Sequence, residues 1–128
     1  MRKILFKGKS LSDGKWVEGY YVETLRFNCM HWIWDGQKYI AIDPETVGQY
    51  TGLTDKNGQR IFEGDIVKVE YVGGNTGLRG TETVAFHDGM FGYFWGPNRT
   101  FVPLSGFVRY TFEVIGNVHD DPELVKED

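Results

Sequence analysis

The sequence has a single cysteine and no long apolar run. Because Cys29 is the lone thiol, an internal disulfide is impossible and an oxidising compartment is not indicated. No window approaches the roughly 20 apolar residues that a membrane-spanning helix needs. The apolar run that follows Arg2 and Lys3 is too short for a signal peptide. We therefore expect a soluble protein of the cytoplasm, without a membrane partner.

Motifs for common catalytic and metal chemistry are also missing. The histidines His31, His87 and His119 stand apart in the sequence, and no cysteine pair accompanies them, so the spacing of a zinc site does not occur. No G-x-S-x-G nucleophile turn is present. The glycine-rich segment 73–80 lacks the Gly-Lys-Ser/Thr ending of a phosphate-binding loop. We therefore predict no metal, no cofactor and no catalytic residues, and we interpret Cys29 as a small buried hydrophobic residue.

One pair of carboxylates offers an alternative. Glu63 and Asp65 flank Gly64, and an acid–base role would require the fold to bring them to His87. The competing interpretation is structural, since glycine makes a sharp turn and aspartate accepts hydrogen bonds from nearby backbone N–H groups. We favour the structural interpretation, so an enzyme ranks third among the functional hypotheses, behind a protein-binding module and a nucleic-acid accessory protein.

Charge is unevenly distributed along the chain. The formal net charge is -4; residues 1–64 carry nine Lys/Arg and eight Asp/Glu, whereas residues 65–128 carry five and ten. A basic edge near the N-terminus comprises Arg2, Lys3, Lys7, Lys9 and Lys15. Phosphate binding usually needs a clustered positive face. The overall balance therefore argues against a nucleic-acid partner, while the basic edge keeps that partner as an alternative.

Glycine and aromatic residues are abundant. The 17 glycines stand mostly singly, beside Asp, Asn or Ser, which is typical of tight turns between short strands. Asp35-Gly36 and Asn57-Gly58 have the composition of hairpin turns, and Asp43-Pro44 indicates one helical turn at most. From residue 65 to 72 apolar and polar residues alternate, as in a half-buried strand. We predict about eight to ten short strands and very little helix, arranged as an all-β barrel or sandwich.

The aromatic residues are the best candidates for a binding surface. Trp32 and Trp34 share one face of a predicted strand, and Phe91, Tyr93 and Trp95 share a face of another. Exposed aromatic rings on a sheet can stack on bases or anchor a protein partner. In a small β-barrel such rings also fill the core, and alternation does not tell which side of a strand faces solvent. Both interpretations therefore stay open.

Three segments together suggest a family. They are R-K-I-L-F-K-G-K…G-K-W-V-E-G at residues 2–19, I-D-P-E-T-V-G-Q-Y-T-G-L-T-D-K-N-G-Q-R-I-F-E-G-D-I-V at residues 42–67, and F-E-V-I-G-N-V-H-D-D-P-E-L at residues 112–124. This pattern resembles the YopX-like family of phage and prophage proteins. The resemblance implies a small, mostly β protein with an SH3-like barrel component, and it supplies no catalytic residues to carry over.

With this resemblance we expect three regions. N-terminal strands and hairpins over residues 1–60 would pack on a barrel or on a neighbouring subunit, an SH3-like barrel would occupy 61–120, and 121–128 would be an acidic tail. The leading hypothesis is a non-enzymatic module that binds another macromolecule, most simply a protein. The alternative is a nucleic-acid accessory protein that uses the basic edge. Short strands leave edges that can pair, so a homo-oligomer is also expected.

Overall fold

The computed structural model describes residues 3–24, 30–71, 79–105 and 110–125. Its strands are β1 (Phe6–Lys9), β2 (Trp16–Thr24), β3 (Met30–Trp34), β4 (Tyr39–Ala41), β5 (Gly48–Thr54), β6 (Arg60–Phe62), β7 (Asp65–Tyr71), β8 (Arg79–Thr83), β9 (Ala85–His87), β10 (Met90–Trp95), β11 (Thr100–Pro103) and β12 (Tyr110–Asn117). The helical segments in these ranges are two 3₁₀ turns, Pro44–Thr46 and Pro122–Leu124. None of the described helices is therefore long enough to cross a membrane.

The fold is all-β, as predicted, but the described strands number twelve rather than eight to ten. One cause is the segment 79–87, which is divided at Val84 into β8 and β9. The side chain of Val84 is buried, its N–H donates to the carbonyl of Asp65 at 2.9 Å, and its own carbonyl accepts from Gly64 N–H at 2.9 Å. Val84 thus pairs with the start of β7, and β9 continues in a different sheet.

The chain divides into two compact units, Met1–Gly52 and Leu53–Asp128. This boundary precedes the predicted one at residue 60, because the turn after β5 is fixed to the second unit. The carboxylate of Asp55 accepts a hydrogen bond from Val114 N–H at 2.9 Å. The predicted tail begins with the second 3₁₀ turn, and residues 126–128 lie outside the described residues.

The first unit is built on antiparallel strands in the order β4-β3-β2-β1-β5. Glycines let the sheet pack closely on one side. A Cβ added to Gly8 would lie 2.9 Å from Ile42 Cδ1, and one added to Gly19 would lie 2.9 Å from Ile33 Cγ2. Both isoleucines are fully buried. Since side chains alternate along a strand, residues of the opposite parity lie on the other side of the sheet.

The 3₁₀ turn at Pro44 begins as the sequence predicts. The Asp43 carboxylate accepts a hydrogen bond from Glu45 N–H at 3.1 Å, and proline occupies the first position of the turn. Thr46 is buried; its Oγ1 accepts from Lys9 N–H at 2.8 Å and donates to the Asp43 carbonyl at 2.6 Å. The turn therefore fixes the end of β1.

The second unit contains two three-stranded antiparallel sheets, β12-β7-β8 and β11-β10-β9, together with β6. Its core is formed by Ile61, Val67, Val69, Val84, Tyr93 and Leu104. The alternation predicted for β7 is confirmed, because Val67 and Val69 are buried while Lys68 and Glu70 are partly exposed. Pro103 lies in β11, an edge strand, where its missing N–H breaks no central hydrogen bond.

The turn around Gly64 supports the structural interpretation of Asp65. Gly64 has a φ of 91°, which a glycine adopts at little cost. Asp65 is 1% exposed, and its Oδ2 accepts a hydrogen bond from Phe62 N–H at 2.8 Å. Asp65 therefore stabilises the start of β7, as predicted.

Candidate interaction surfaces

The strand register of the first unit places five aromatic side chains on one side of its sheet. Tyr20 lies opposite Trp34, and Trp34 lies opposite Tyr39, so three residues form a row across β2, β3 and β4. Trp32 lies in the neighbouring row, and Trp16 lies four residues before Tyr20 on β2. All are on the side opposite Gly8, Gly19 and Ile33. We call this surface the aromatic face; it comprises Trp16, Tyr20, Trp32, Trp34 and Tyr39.

The aromatic face is open to solvent. Tyr20 is 56% exposed and Tyr39 is 60% exposed, while the three tryptophans are half-buried. The rings of Trp34 and Tyr39 have centroids 4.6 Å apart and are tilted by 52°. Trp32 Nε1 donates a hydrogen bond to Thr24 Oγ1 at 3.3 Å. The tryptophans are thus held in place, and the two tyrosines present most of their surface.

Two lysines of the predicted basic edge lie on the same side of the sheet. In the register, Lys7 is opposite Glu18 and Lys9 is opposite Trp16. Lys7 Nζ lies 4.7 Å from the centroid of the Trp16 ring, and Lys9 Nζ lies 5.5 Å from it, within the range of a cation–π interaction. Two sets of residues that the sequence suggested separately therefore form one surface.

The other predicted basic residues are less closely grouped. Lys15 is exposed in the turn before β2, and Lys3 is exposed ahead of β1. Arg2 lies outside the described residues. The basic edge is thus present on the aromatic face as Lys7 and Lys9, with Lys15 beside Trp16 in the sequence.

The turn between β3 and β4 sets the register of the aromatic row. Asp35 Oδ1 accepts hydrogen bonds from Gln37 N–H at 2.8 Å and Lys38 N–H at 2.9 Å, and Gly36 has a φ of 102°. The hydrogen bonds from Lys38 and Gln37 lower the pKa of Asp35 below its usual value. This local chemistry places Tyr39 directly opposite Trp34.

An open groove of about 840 Å³ adjoins the aromatic face. Residues of the β1–β2 turn, the start of β2, the β3–β4 turn and β4 line it. Trp16, Tyr39, Lys15 and Lys38 are among the lining residues, and so are acidic side chains. The groove therefore brings aromatic and charged groups of the first unit together.

In the second unit the predicted aromatic stripe of β10 is mainly core. Tyr93 is 4% exposed and belongs to the core, and Phe91 packs against it. Only Trp95, at the end of the strand, is largely exposed, at 56%. Of the two interpretations left open for Tyr93, the core interpretation applies, because this side of β10 faces the core. Burial, with smaller contributions from Glu82 and Tyr110, raises the pKa of Tyr93 to about 12.

The opposite side of β10 carries an aromatic cluster that sequence reasoning missed. Phe94 and Phe101 have ring centroids 5.1 Å apart, and the His87 ring lies 5.2 Å from Phe94. The Arg99 guanidinium lies 4.9 Å from the Phe94 ring. Gly92 is the sequence feature that could have indicated this cluster, because the Phe101 ring occupies the space of its missing side chain: a Cβ there would lie 2.7 Å from Phe101 Cζ. A glycine between two aromatic residues of a strand thus indicates a ring crossing from the neighbouring strand.

The remaining residues considered for chemistry have ordinary surroundings. His87 is about half exposed, with Nε2 3.4 Å from Asp88 Oδ2, while Asp65 is buried at the start of β7. In the described ranges no group of three or more His, Cys, Asp or Glu residues could hold a metal ion. Cys29 and most of the glycine-rich segment 73–80 lie outside the described residues.

A family model described as YopX protein matches residues 5–126. The chain belongs to the YopX protein family. This YopX-family chain is also similar to a crystal structure of protein EF1440 from Enterococcus faecalis, with 24% identity and a TM-score of 0.59. The similarity covers 98% of this chain and 100% of that chain, and it shows a shared fold. No curated protein matches the chain.

The three sequence segments that resemble the YopX family contain both turns and strands. Segment 42–67 contains the capped 3₁₀ turn, β5, the Asp55 turn, β6 and the start of β7. Most of the aromatic face comes from residues 20–39, between the family-like segments 2–19 and 42–67. The family match over residues 5–126 includes the aromatic face, but most of that face lies between the three segments that carry the resemblance.

Proposed function

We propose that the protein is a non-enzymatic binding module that holds another macromolecule on its aromatic face. The observation that carries the proposal is the row of Tyr20, Trp34 and Tyr39, whose two outer rings are more than half exposed. Exposed aromatic groups bordered by charged residues are a common feature of interaction sites. Regular strands already hold the row in place, so its side chains lose little conformational freedom when a partner binds.

The proposal extends to the setting of the protein. We place it in the bacterial cytoplasm as a product of a phage or prophage, and we propose that the second unit is an SH3-like barrel. The barrel proposal is supported by two three-stranded sheets that share one core. We also propose self-association through strand edges, for which light scattering on the purified protein would give the mass; a mass equal to one chain would refute it.

Two classes of partner fit the aromatic face. A protein partner agrees with the net charge of -4 and with the use of aromatic anchors in protein interfaces. A nucleic acid is favoured by a specific observation, because Lys7 and Lys9 lie on the same side of the sheet as the aromatic row.

Affinity capture from bacterial cells tests the binding module itself. Tagged protein would be compared with Tyr20→Ala and Tyr39→Ala, with and without nuclease treatment. Trp95→Ala is the matched control, because Trp95 is equally exposed but lies in the second unit. We expect both tyrosine variants to lose the captured partner while the control keeps it. Equal capture by all correctly folded variants, checked by circular dichroism, would overturn the proposal.

A further inference from the structure

We propose that the aromatic face binds single-stranded nucleic acid, with bases stacked along Tyr20, Trp34 and Tyr39 and phosphates beside Lys7 and Lys9. This inference rests on the proposed function and names the partner class of the same surface. Its basis is the juxtaposition of a row of rings and a pair of ammonium groups on one side of a regular sheet.

The spacing of the rings suits successive bases. Directly opposite residues of antiparallel strands have Cα atoms about 4.5–5.5 Å apart, so the three positions of the row span about 10 Å. Tyr20 and Tyr39 end the row and are mostly exposed, which leaves ring surface available for stacking. Stacking on aromatic side chains tolerates any base, because every base has a π-face. Bases paired in a duplex could not reach such an open row, so the ligand is single-stranded.

The charge of the first unit is compatible with this ligand. Residues 1–52 carry seven Lys/Arg and six Asp/Glu, whereas residues 53–128 carry seven and twelve. The net negative charge of the chain thus belongs to the second unit. Lys7 and Lys9 lie on the same side of the sheet as the aromatic row, against the Trp16 ring, and Lys15 and Lys38 line the adjoining groove. A strand that leaves the row can therefore pass further cations.

Acidic side chains near the surface limit the expected affinity. Glu18 lies on the same face, opposite Lys7, and Asp13 and Asp35 line the groove. Asp13 Oδ1 accepts a hydrogen bond from Lys15 N–H at 3.0 Å, and Asp35 is bound to the backbone of its own turn. Asp13 and Asp35 thus serve turn geometry, while Glu18 places a negative charge beside Lys7. We therefore expect moderate, salt-sensitive binding that depends on stacking more than on charge.

An acidic peptide could use the same lysines, but the shape of the surface favours a nucleic acid. Anchor residues of protein interfaces typically fill well-packed, desolvated pockets. The row of Tyr20, Trp34 and Tyr39 is instead an open line of rings across three strands. Flat groups in series fit that line, and a single-stranded nucleic acid supplies both the flat groups and the charges between them.

Fluorescence anisotropy with short labelled oligonucleotides tests the inference. Single-stranded DNA, single-stranded RNA, duplex DNA and a poly-glutamate peptide would each be titrated with the full chain over a series of salt concentrations. We expect single strands to bind, and the logarithm of the association constant to fall linearly with that of the salt concentration, with a slope of about 0.7 per phosphate contacted. Duplex and peptide should bind weakly.

Variants separate stacking from charge. Tyr20→Ala and Tyr39→Ala should each weaken binding about five-fold or more, because loss of the stacking of one base on one aromatic ring reduces affinity by at least that factor. The double variant Lys7→Gln with Lys9→Gln removes two phosphate contacts and should reduce the salt slope by about 1.4. Trp95→Ala and Lys56→Gln are the controls, both exposed in the second unit, and should leave affinity and slope unchanged.

Failure of the inference differs from failure of the proposed function. If no single strand binds at low salt, or if the duplex or the acidic peptide binds better, the inference is overturned. The proposed function survives that result when affinity capture still yields a protein that Tyr20→Ala and Tyr39→Ala lose. Binding of single strands that is equally weakened by Trp95→Ala would also overturn the inference, because the site would then not be the aromatic face.

Discussion

Replacing Asp55 by asparagine should destabilise the second unit by about 2–3 kcal/mol. Asp55 is 7% exposed, and its carboxylate accepts three backbone hydrogen bonds of 2.9 Å. Oδ1 accepts from the N–H groups of Asn57 and Gln59, within the turn. Oδ2 accepts from Val114 N–H, on β12. This one side chain thus fixes the β5–β6 turn to the strand that follows it by 59 positions.

The magnitude follows from the donors that would lose their acceptor. Asparagine keeps one carbonyl oxygen, which can still accept from the two N–H groups of the turn. Its amide nitrogen would then face Val114 N–H, so two donors meet at a buried position. Loss of a hydrogen bond to a charged group costs about 1.5–3 kcal/mol. Asp55→Ala removes all three acceptors and should cost more, although such losses do not add simply.

The loss of stability in Asp55→Asn should depend on pH. Burial acts to raise the pKa of Asp55, but the hydrogen bonds from Val114, Gln59 and Asn57 and the charge of Lys56 outweigh it and lower the pKa. Since the folded-state pKa lies below the unfolded value of about 3.9, the carboxylate stabilises the fold above that pH. Its contribution is lost as the pH falls through the lower folded-state pKa. The stability difference between wild type and Asp55→Asn should therefore narrow in acid.

Urea unfolding followed by circular dichroism at neutral and acidic pH measures this difference. Asp35→Asn is the matched control. Asp35 also accepts hydrogen bonds from two N–H groups of its own turn, but it is exposed, and its described hydrogen bonds include none from a distant strand. We expect Asp35→Asn to cost clearly less stability than Asp55→Asn, because an exposed carboxylate is readily replaced by water. A loss in Asp55→Asn no larger than that of the control, or a difference that stays constant into acid, would refute the reasoning.

Two further predictions concern β10. Gly92→Ala should lower stability by about 2 kcal/mol or more, because the added Cβ would meet the Val102 carbonyl oxygen. Thermal unfolding measures this loss against the control Gly80→Ala, where the close contact is a flexible Glu82 side chain. Equal losses in the two variants would count against the prediction. Burial raises the pKa of Tyr93 to about 12, so an alkaline ultraviolet titration should show a late phenolate that Tyr93→Phe removes. Since the folded-state pKa is raised, the contribution of the neutral Tyr93 hydroxyl to stability is fully present below the unfolded pKa of about 10 and is lost as the pH rises through the folded-state pKa of about 12. Identical titrations of both proteins in the folded state would contradict the assignment.

Turns were predictable from the sequence because their causes are local. Asp35-Gly36 and Asn57-Gly58 form the predicted turns, with positive φ at both glycines, and Asp43 caps its 3₁₀ turn as expected. In each case the side chain that accepts the hydrogen bond lies within four residues of its donors. Short-range chemistry of this kind can be identified in a single sequence.

The direction in which each strand faces could not be predicted in the same way. Alternation in β10 separates Phe91, Tyr93 and Trp95 from Met90 and Phe94, but it does not tell which set faces the core. That choice depends on packing against β7 and β6, which are distant in sequence. The candidate set of Phe91, Tyr93 and Trp95 is mainly core, and the partly exposed cluster around Phe94 was missed.

The candidate site was predicted in part for a related reason. Trp32 and Trp34 were identified on one strand face, but Tyr20 and Tyr39 join them only through the cross-strand register. The proximity of Lys7 to Trp16 likewise depends on the pairing of β1 with β2. Register is a property of strand pairs. The pattern along one strand therefore shows which of its residues share a face, but not which residues of the neighbouring strands lie beside them.

Nuclear magnetic resonance of the indole N–H groups tests most directly whether the aromatic face binds single-stranded nucleic acid. The chain has four tryptophans, of which Trp16, Trp32 and Trp34 lie on the aromatic face and Trp95 lies in the second unit. Addition of a short single-stranded oligonucleotide should shift the three signals of the aromatic face and leave that of Trp95 in place. Four unchanged signals, or a shift confined to Trp95, would contradict the proposed site.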